Sequence, residues 1–303
     1  MKYPEPPRLT IAICTYRREQ LLVDCLQSLA NQDTDTPTFS ILVVDNAGSP
    51  GLETITKKWG AEYLYEPQAG LSHARNAAWQ HCATEWILYL DDDARAHPNL
   101  VKQAYRNIVA QSHFVFGGRF QHWFAAPPPK WFPTYFEGDG RPHLSTVPRE
   151  LPAGDYLFGG IMAFTTQVLA EHHGFKAELG MQGASLGYGE EIELQLRLRR
   201  SGITIWYDPD LVIDHLVGSH KYTLRYHLEA AYRHGMTNEH VLGGKPYSLA
   251  QLTKDMFYTL LVRLPKGLVK LVVRKQYYWQ NLVIEVVGRL RFAVGAWRGR
   301  EKM

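Results

Sequence analysis

The stretch ILYLDDDARAHP, residues 87–98, carries the most information about the fold of this chain. An apolar run typical of a buried strand stops there at three consecutive carboxylates, Asp91, Asp92 and Asp93. Because alternate side chains of an extended backbone share a face, Asp91 and Asp93 can point the same way. Carboxylate oxygens are ligands that Mg²⁺ and Mn²⁺ prefer, so this strand end is a candidate metal site. The alternative is an acidic cap for a helix that begins at Pro98.

The segments before this stretch alternate between strand-like and helix-like patterns. Strand formers fill LTIAICTYRR (9–18), FSILVVDNAGS (39–49) and AEYLYE (61–66). Apolar residues recur at helical spacing in REQLLVDCLQSLANQ (18–32), and GLSHARNAAWQHC (70–82) has the pattern of a turn and then a helix. Strands that alternate with helices indicate a parallel sheet with right-handed crossovers, in which ligands bind at the carboxyl ends of the strands.

Several polar residues fall at those predicted strand ends, among them Thr15, Asp45 and Asp93, so one site can hold all three. The motifs TYRR, VVDN with a following Gly-Ser, GLSHARN, LDDDA and GEEIEL occur in this order between Leu9 and Gly235. In order and spacing they resemble a family 2 glycosyltransferase of the GT-A fold. The resemblance implies an α/β protein with a Rossmann-type, mostly parallel sheet flanked by helices. It also implies transfer of a hexosyl group from a nucleotide diphosphate sugar, with Mn²⁺ or Mg²⁺ as cofactor and inversion at the anomeric carbon.

The same resemblance implies roles for individual residues of these motifs. The nucleotide pocket is expected to be lined by Thr15, Tyr16, Arg18, Asp45, Asn46, Arg75, Asn76, Asp91 and Asp92. Asp45 would accept the imide proton of the base, and Asn46 stands where the family often has a second aspartate. Asp91 and Asp92 would hold the ribose and help to fix the metal, and Asp93 would be its principal ligand.

The segment GYGEEIELQLRLRRSG (187–202) is the expected source of the catalytic base. Its apolar residues alternate as in a strand, but its strong helix formers and the stop at Gly202 favour a helix. Glu190 and Glu191 would then lie in the first turn, where the helix dipole favours an ionised carboxylate. The resemblance implies that Glu191 takes the proton of the acceptor hydroxyl, with Glu190 in support. A helix-capping acidic pair is the alternative.

Two further segments bear on the predicted site. His215 follows a strand-like run and is a candidate third metal ligand, a structural histidine being the alternative. LFGGIMAFTTQVL (157–169) resembles the strand that lies beneath donor and acceptor in the family. Gly159 and Gly160 would let its backbone approach the substrate closely, unless they form a simple turn.

A long aromatic and proline-rich segment, residues 120–143, interrupts the regular pattern. Its aromatic residues either form a platform for a sugar or lipid acceptor, or cover the core; the residues concerned are Trp123, Trp131, Phe132, Tyr135 and Phe136. The sequence leaves both interpretations open.

The carboxyl-terminal part differs from the rest in charge. We predict a catalytic domain over 1–220, with a nucleotide-binding part over about 1–118 and an acceptor part over about 119–220, followed by a helical, basic amphipathic extension over 221–303. Residues 253–303 hold eleven Lys and Arg against three acidic residues, whereas the whole chain is only +3. Interleaved basic and apolar residues are typical of helices on an anionic membrane surface, while packing on the catalytic domain is the alternative. Nucleic acid is not an expected partner, because the preceding part of the chain is acidic.

The expected partners are therefore a nucleotide diphosphate sugar, most simply UDP-linked, a glycan or lipid-linked acceptor, and an anionic membrane surface. Cys14, Cys25 and Cys82 lack zinc-type spacing and indicate a reducing compartment. MKYPEPPRLT lacks the apolar segment of a signal peptide, so we expect a cytoplasmic protein, peripheral at the inner face of the plasma membrane.

Two other classes of protein remain to be distinguished. A sugar-phosphate nucleotidyltransferase would carry a glycine-rich phosphate loop after the first strand, which TYRREQ is not. A non-catalytic glycan-binding relative would be expected to have lost its acidic residues. The chain has no Q-x-x-R-W segment, a motif of processive synthases of the family, so a single-addition enzyme is favoured.

Overall fold

The centre of the protein is a nine-stranded sheet. The computed structural model describes residues 9–110, 113–132, 146–238 and 247–299. The strands, in chain order, are β1 (Leu9–Thr15), β2 (Ser40–Asp45), β3 (Glu62–Tyr65), β4 (Trp86–Asp91), β5 (Ala94–Ala96), β6 (Val115–Trp123), β7 (Arg149–Glu150), β8 (Ile161–Thr165) and β9 (Trp206–Leu216). They are arranged in the order β3-β2-β1-β4-β8-β6-β9-β5, and β7 pairs with β9.

One half of this sheet is parallel, as the alternation of strands and helices predicts. Strands β3, β2, β1 and β4 all run in the same direction. Beyond β4 the sheet is mixed: β8 is antiparallel to both β4 and β6, β9 is parallel to β6, and the short strands β5 and β7 are antiparallel to β9. The fold is therefore a mixed α/β fold in which the parallel half contains the predicted nucleotide-binding motifs.

The register of the parallel strands brings their polar ends together. Thr15 at the end of β1 pairs with Asp45 at the end of β2. On the other side of β1, Cys14 pairs with Asp91 at the end of β4. Since parallel strands end at the same edge of a sheet, the side chains that follow the three strands share one surface.

Helices flank the sheet and cover its apolar residues. Those that precede residue 217 are α1 (Glu19–Ala30), α2 (Leu52–Lys58), α3 (Leu71–His81), α4 (Leu100–Ala110), α5 (Thr166–Glu171) and α6 (Glu190–Arg200). Helix α1 buries its predicted apolar stripe, which includes Leu22, Cys25 and Leu26. The helix expected from Pro98 is present as α4, which begins two residues later, at Leu100. Between Asp93 and this helix the chain forms the short strand β5, which pairs with β9.

The chain divides into two compact units. Unit 1 comprises residues 1–123, 138–184 and 190–216, and unit 2 comprises 124–137, 185–189 and 217–303. The last boundary lies four residues before the predicted one at 220. The two short pieces of unit 2 come from the predicted acceptor part, so a division at one point along the sequence does not describe these units.

Unit 2 is helical, as predicted for the extension. It contains a 3₁₀ turn (Ser219–Tyr222), α7 (Leu224–Met236), α8 (Leu249–Tyr258), a π-helical turn (Thr259–Arg263), α9 (Leu264–Val273) and α10 (Trp279–Gly299). Of the helices in the described ranges, none combines the length and the apolar character that a membrane span requires.

The aromatic segment is in part a packed element of unit 2. The Phe132 ring is buried, and its centroid lies 5.0 Å from that of Tyr222 and 5.7 Å from that of His227. Trp131 also contacts His227, with 5.9 Å between centroids. These rings therefore pack inside unit 2. For Trp131 and Phe132 this favours a role in covering the core over a role as a platform for the acceptor. Tyr135 and Phe136 lie outside the described residues.

Candidate active site

Two carboxylates and an imidazole converge at the end of β4. Asp91 is the last residue of β4, Asp93 follows in the turn, and His215 lies near the end of β9, where β5 pairs with it through Ala94. The Nε2 atom of His215 is 3.4 Å from Oδ1 of Asp93 and 4.0 Å from Oδ2 of Asp91. One ligand atom from each residue lies within 4.8 Å of the others. This donor set, two hard oxygens and one imidazole nitrogen, fits Mn²⁺ or Mg²⁺.

Asp92 points away from this cluster and organises the end of β1. Its buried carboxylate accepts hydrogen bonds from Thr15 Oγ1 at 2.7 Å and from Arg18 Nη1 at 3.1 Å. Arg18 also reaches Oδ2 of Asp93 at 3.3 Å. Burial, with the neighbouring Asp93 carboxylate, raises the pKa of Asp92 to about 7, although Arg18 and Thr15 act in the opposite direction. Thr15, Arg18 and Asp92 thus form one hydrogen-bonded group beside the candidate metal site.

A buried arginine joins this cluster to the acidic pair of α6. Arg75, only 3% exposed, donates to Oε1 of Glu190 at 2.9 Å and to the backbone oxygen of Gly159 at 2.9 Å. The same guanidinium approaches Oδ1 of Asp91 at 3.5 Å. Arg75 therefore lies beneath the site rather than along an open pocket, and it holds Glu190 and Asp91 in a fixed relation.

The glycine pair before β8 makes room for these side chains. A Cβ at Gly160 would lie 2.5 Å from Oδ2 of Asp91, and one at Gly159 would lie 3.1 Å from Nη2 of Arg75. The sequence left open a close approach to substrate or a simple turn, and both glycines lie in a turn. In the structure they accommodate Asp91 and Arg75, the side chains that build the site.

The acidic pair lies in the first turn of α6, as the helix prediction required. Glu190 is buried against Arg75. Glu191 is partly exposed, and burial together with the adjacent Glu190 carboxylate raises its pKa to about 8. A carboxylate with a raised pKa is a strong proton acceptor once it is ionised, which suits a general base.

The family can be identified from the amino-terminal motifs. The model of the family described as glycosyl transferase family 2 matches residues 10–164, just over half of the 303 residues. The chain belongs to glycosyl transferase family 2. It is a glycosyltransferase, and the nucleotidyltransferase and the non-catalytic relative that sequence analysis left open are set aside.

Curated relatives and solved structures agree with this assignment. The succinoglycan biosynthesis protein ExoM of Rhizobium meliloti (strain 1021) is 22% identical over 254 residues, covering 82% of this chain and 79% of ExoM. The mannosyltransferase PcManGT of Pyrobaculum calidifontis, solved with GDP-Man and Mn²⁺, superposes with a TM-score of 0.60 at 15% identity, covering 93% of this chain and 86% of that one. TarS of S. aureus, solved with UDP, gives 0.54 at 15% identity, with 98% and 92% covered. At these identities the structures show the fold, which is of the GT-A type.

Two residues of the glycosyltransferase that were predicted to contact the nucleotide form hydrogen bonds within the protein. The buried carboxylate of Asp45 accepts hydrogen bonds from the amides of residues 47–49 and from the Tyr63 hydroxyl. The amide group of Asn46 donates to the backbone oxygens of Glu66 and Gln68, and its oxygen accepts from the amide of Gly70. These two residues stabilise the turn after β2. We therefore do not propose that the Asp45 carboxylate or the Asn46 amide contacts the nucleotide base.

Asn76 also has a structural role in the glycosyltransferase. Its side chain donates to the backbone oxygen of Phe175 at 2.7 Å and accepts from the amide of Phe175 at 2.8 Å and from Nε1 of Trp79 at 3.1 Å. The side-chain nitrogen and oxygen of Asn76 are thus both engaged within the protein, by Phe175 after α5 and by Trp79 of α3, and the predicted nucleotide contact is not carried forward. Tyr16, by contrast, follows Thr15 with a partly exposed ring beside Arg17.

One group of residues escaped the sequence analysis. The rings of Phe158 and Phe120 meet His215 edge to face, with centroids 4.9 and 6.2 Å away. His122, which pairs with His215 across β6 and β9, has its ring 6.1 Å from the His215 ring. These rings limit the orientations that the His215 imidazole can adopt. In the sequence, the only signal was that Phe120 and His122 alternate with their neighbours in FQHW (120–123). The pairing of this strand with β9 could not be predicted from that pattern.

Proposed function

We propose that this protein is a metal-dependent, inverting glycosyltransferase that moves a sugar from a UDP-linked donor to a hydroxyl of a glycan or lipid-linked acceptor. The observation that carries the proposal is the buried Arg75. It connects a cluster fit for a divalent ion, through Asp91, to an acidic pair fit for proton transfer, through Glu190. Leaving-group stabilisation and acceptor activation are the two needs of glycosyl transfer, and one side chain fixes the groups that would serve them.

The donor side of the reaction is assigned to the ends of β1 and β4. Asp91, Asp93 and His215 would hold Mn²⁺ or Mg²⁺, which when bound offsets the charge of the departing diphosphate. Arg18, 40% exposed and beside Asp92 and Asp93, adds a positive charge on the same surface. Support for a nucleotide sugar comes from the related folds, since PcManGT was solved with GDP-Man and TarS with UDP and with UDP-GlcNAc.

The acceptor side is assigned to α6. Glu191, with its pKa raised to about 8, accepts the proton of the acceptor hydroxyl as the oxygen attacks the anomeric carbon from the face opposite the nucleotide. Direct attack in one step inverts the configuration at that carbon. Glu190 pairs with Arg75 and holds the first turn of α6 in place.

The proposed acceptor is a growing polysaccharide or its lipid-linked precursor. ExoM is by its name a protein of succinoglycan biosynthesis, which supports a role in the assembly of a polysaccharide here. A growing glycan or its lipid-linked precursor would supply the hydroxyl. Cytoplasmic localisation, peripheral at the inner face of the plasma membrane, stays a prediction.

The decisive experiment is a donor screen with UDP-, GDP- and dTDP-sugars, with and without Mn²⁺, read as release of nucleotide diphosphate and as product mass. Asp93→Asn should abolish transfer and the Mn²⁺-dependent part of nucleotide binding by calorimetry, because the ion loses a carboxylate ligand. Asp210→Asn, a change of the same kind at an exposed position of β9, is the matched control and should behave as wild type. Metal-independent turnover, or unchanged metal-dependent affinity in Asp93→Asn, would contradict the proposal.

A further inference from the structure

A continuous helical segment of unit 2 presents an apolar surface to solvent. Helix α8, the π-helical turn and α9 follow one another without a break over residues 249–273. Ten of the sixteen exposed large apolar side chains among the described residues lie in this segment. We call them the apolar face: Leu249, Met256, Phe257, Tyr258, Leu260, Leu261, Leu268, Val269, Val272 and Val273. A contiguous surface of this kind marks an interaction site rather than scattered surface residues.

The spacing of these residues keeps them on one side of the segment. From Met256 onward, exposed apolar pairs recur at intervals of four or eight residues, at 256–257, 260–261, 268–269 and 272–273. In a regular α-helix with 3.6 residues per turn, a four-residue repeat drifts by about 40° each time. The π-helical turn at Thr259–Arg263 has more residues per turn and takes up part of that drift. The apolar pairs consequently form a stripe along the helix instead of winding around it.

The opposite side of the segment is fixed to α10. Thr259 is fully buried, and a Cβ at Gly267 would lie 2.3 Å from Cδ1 of Leu282. Asp255 pairs with Arg289, and Lys270 pairs with Glu285 at 2.8 Å. Because these contacts hold the inner side, the segment is not free to rotate and bury its apolar face in unit 2.

The charges of the segment identify the kind of surface that it fits. Residues 249–275 contain six basic residues and one acidic residue, Asp255, which is paired inward. The basic side chains of Lys254, Lys266, Arg274 and Lys275 are exposed. An apolar stripe with basic residues along it complements a surface that is apolar inside and anionic outside.

We propose that residues 249–275 are a docking surface for an anionic lipid bilayer, on which α8 and α9 lie with the apolar face in the boundary between headgroups and acyl chains. Phe257 and Tyr258 lie on this face, and aromatic rings favour that boundary. The basic side chains reach the anionic headgroups, and each contributes about fivefold to binding. The proposal goes beyond the transfer reaction and does not depend on it.

The test is sedimentation of the full-length protein with vesicles, without donor, metal or acceptor. The vesicles contain phosphatidylcholine alone, or phosphatidylcholine with a quarter phosphatidylglycerol. Wild type should bind the anionic vesicles, bind the neutral ones more weakly, and release in high salt. Leu261→Ser/Val272→Ser should reduce binding to anionic vesicles at least tenfold, since both side chains, 71% and 87% exposed, would enter the apolar layer.

Matched variants separate the docking surface from general effects. Lys266→Gln/Arg274→Gln should weaken binding about 25-fold and reduce its salt dependence. Phe114→Ser and Lys58→Gln change an exposed apolar and an exposed basic residue of unit 1 and should bind as wild type. Because all these positions are exposed, the melting temperature should not change, which excludes unfolding as a cause.

Three results would overturn the proposal: no binding of wild type to anionic vesicles, equal binding by wild type and both double variants, or an equal loss with Phe114→Ser. A fourth is a dimer in light scattering that Leu261→Ser/Val272→Ser converts to a monomer, with no vesicle binding by wild type. That result would assign the apolar face to a second copy of the chain. Because catalysis is not measured, none of these outcomes bears on the proposed transfer reaction.

Discussion

At the scale of single residues, the two adjacent glutamates of α6 have different electrostatic environments. Glu190 has a buried arginine partner at 2.9 Å, whereas the pKa of Glu191 is raised to about 8 by burial and by Glu190. We expect Glu191→Gln to lose about 10² to 10⁴-fold in kcat with donor affinity near wild type, because only the base is removed. In wild type, kcat/KM should rise with pH until about 8. Rates of both enzymes over pH 5.5 to 9.5 at saturating donor provide the measurement.

The variant Glu190→Gln distinguishes the two roles further. Removing a like charge next to Glu191 lowers the pKa of that carboxyl, so the rising limb of the pH profile should move to lower pH. Turnover should fall less than in Glu191→Gln. A dead Glu190→Gln beside an active Glu191→Gln would exchange the assignment, and wild-type turnover in both would remove the base from α6 altogether.

Arg75 is a positioning residue, and its substitution should affect both halves of the site. Taking one partner from a buried ion pair costs about 3–5 kcal/mol, so Arg75→Met should lower the free energy of unfolding by that order. Arg75→Lys retains the charge but cannot reach Glu190, Gly159 and Asp91 together. We expect it to fold, to lose at least about 10²-fold in kcat, and also to bind Mn²⁺ more weakly. Denaturant unfolding and calorimetry check these expectations, and unchanged metal affinity would show that Arg75 does not position Asp91.

At the scale of elements, the strands and helices before residue 92, except α2, followed from local patterns, but the pairing that completes the site did not. Helix α1 and strands β1, β2 and β4 each carry their own periodicity, so their place in the sheet was predictable. Strand β5 is three residues long and exists because Ala94 pairs with His215, far along the chain. The role of Gly159 likewise depends on Arg75, which no local pattern reveals.

The same limit explains why two predicted nucleotide contacts, Asp45 and Asn76, hydrogen-bond within the protein in the structure. A carboxylate at a strand end can accept hydrogen bonds either from a nucleotide base or from the turn that follows the strand. Asp45 accepts them from the turn. Asn76 stood in a motif beside Arg75, but the two neighbours on α3 point to different segments. Sequence proximity to a functional residue is therefore weak evidence for a role on a helix, where adjacent side chains face different directions.

The packing of α7 against α10 provides a matched test within one helix. A Cβ at Gly295 would lie 2.2 Å from the backbone oxygen of Tyr232, whereas one at Gly288 would lie 3.8 Å from the nearest atom. Gly295→Ala should therefore destabilise unit 2 by about 1–3 kcal/mol or more, because the backbones must move apart. Gly288→Ala should be neutral or stabilising by up to about 1 kcal/mol, since alanine favours the helix. Thermal melts followed by circular dichroism compare the two, and equal melting temperatures would contradict the close backbone contact.

At the scale of the whole molecule, stability should depend on the ionisation of the catalytic carboxyl. The pKa of Glu191 is raised from 4.5 to about 8 by burial and by Glu190, so the folded protein binds a proton that the unfolded chain releases. A group with a raised carboxyl pKa favours folding below the unfolded value and loses that contribution as pH rises toward the folded value. The window is therefore about pH 4.5 to 8, and the slope from this one group is at most about 1.4 kcal/mol per pH unit.

Comparison of wild type with Glu191→Gln isolates this contribution from the other titrating groups. His227 and His234, whose pKa values are lowered by burial, act in the opposite direction in both proteins and cancel in the difference. Without metal, Glu191→Gln should melt on the order of a few degrees above wild type at pH 8.5 and at nearly the same temperature at pH 5. Glu178→Gln, a change of the same kind outside the acidic pair, should show no such pH-dependent difference. A melting difference that is constant with pH would mean that the Glu191 carboxyl is ionised in the folded protein throughout, and the proton acceptor of the transfer reaction would then have an ordinary pKa.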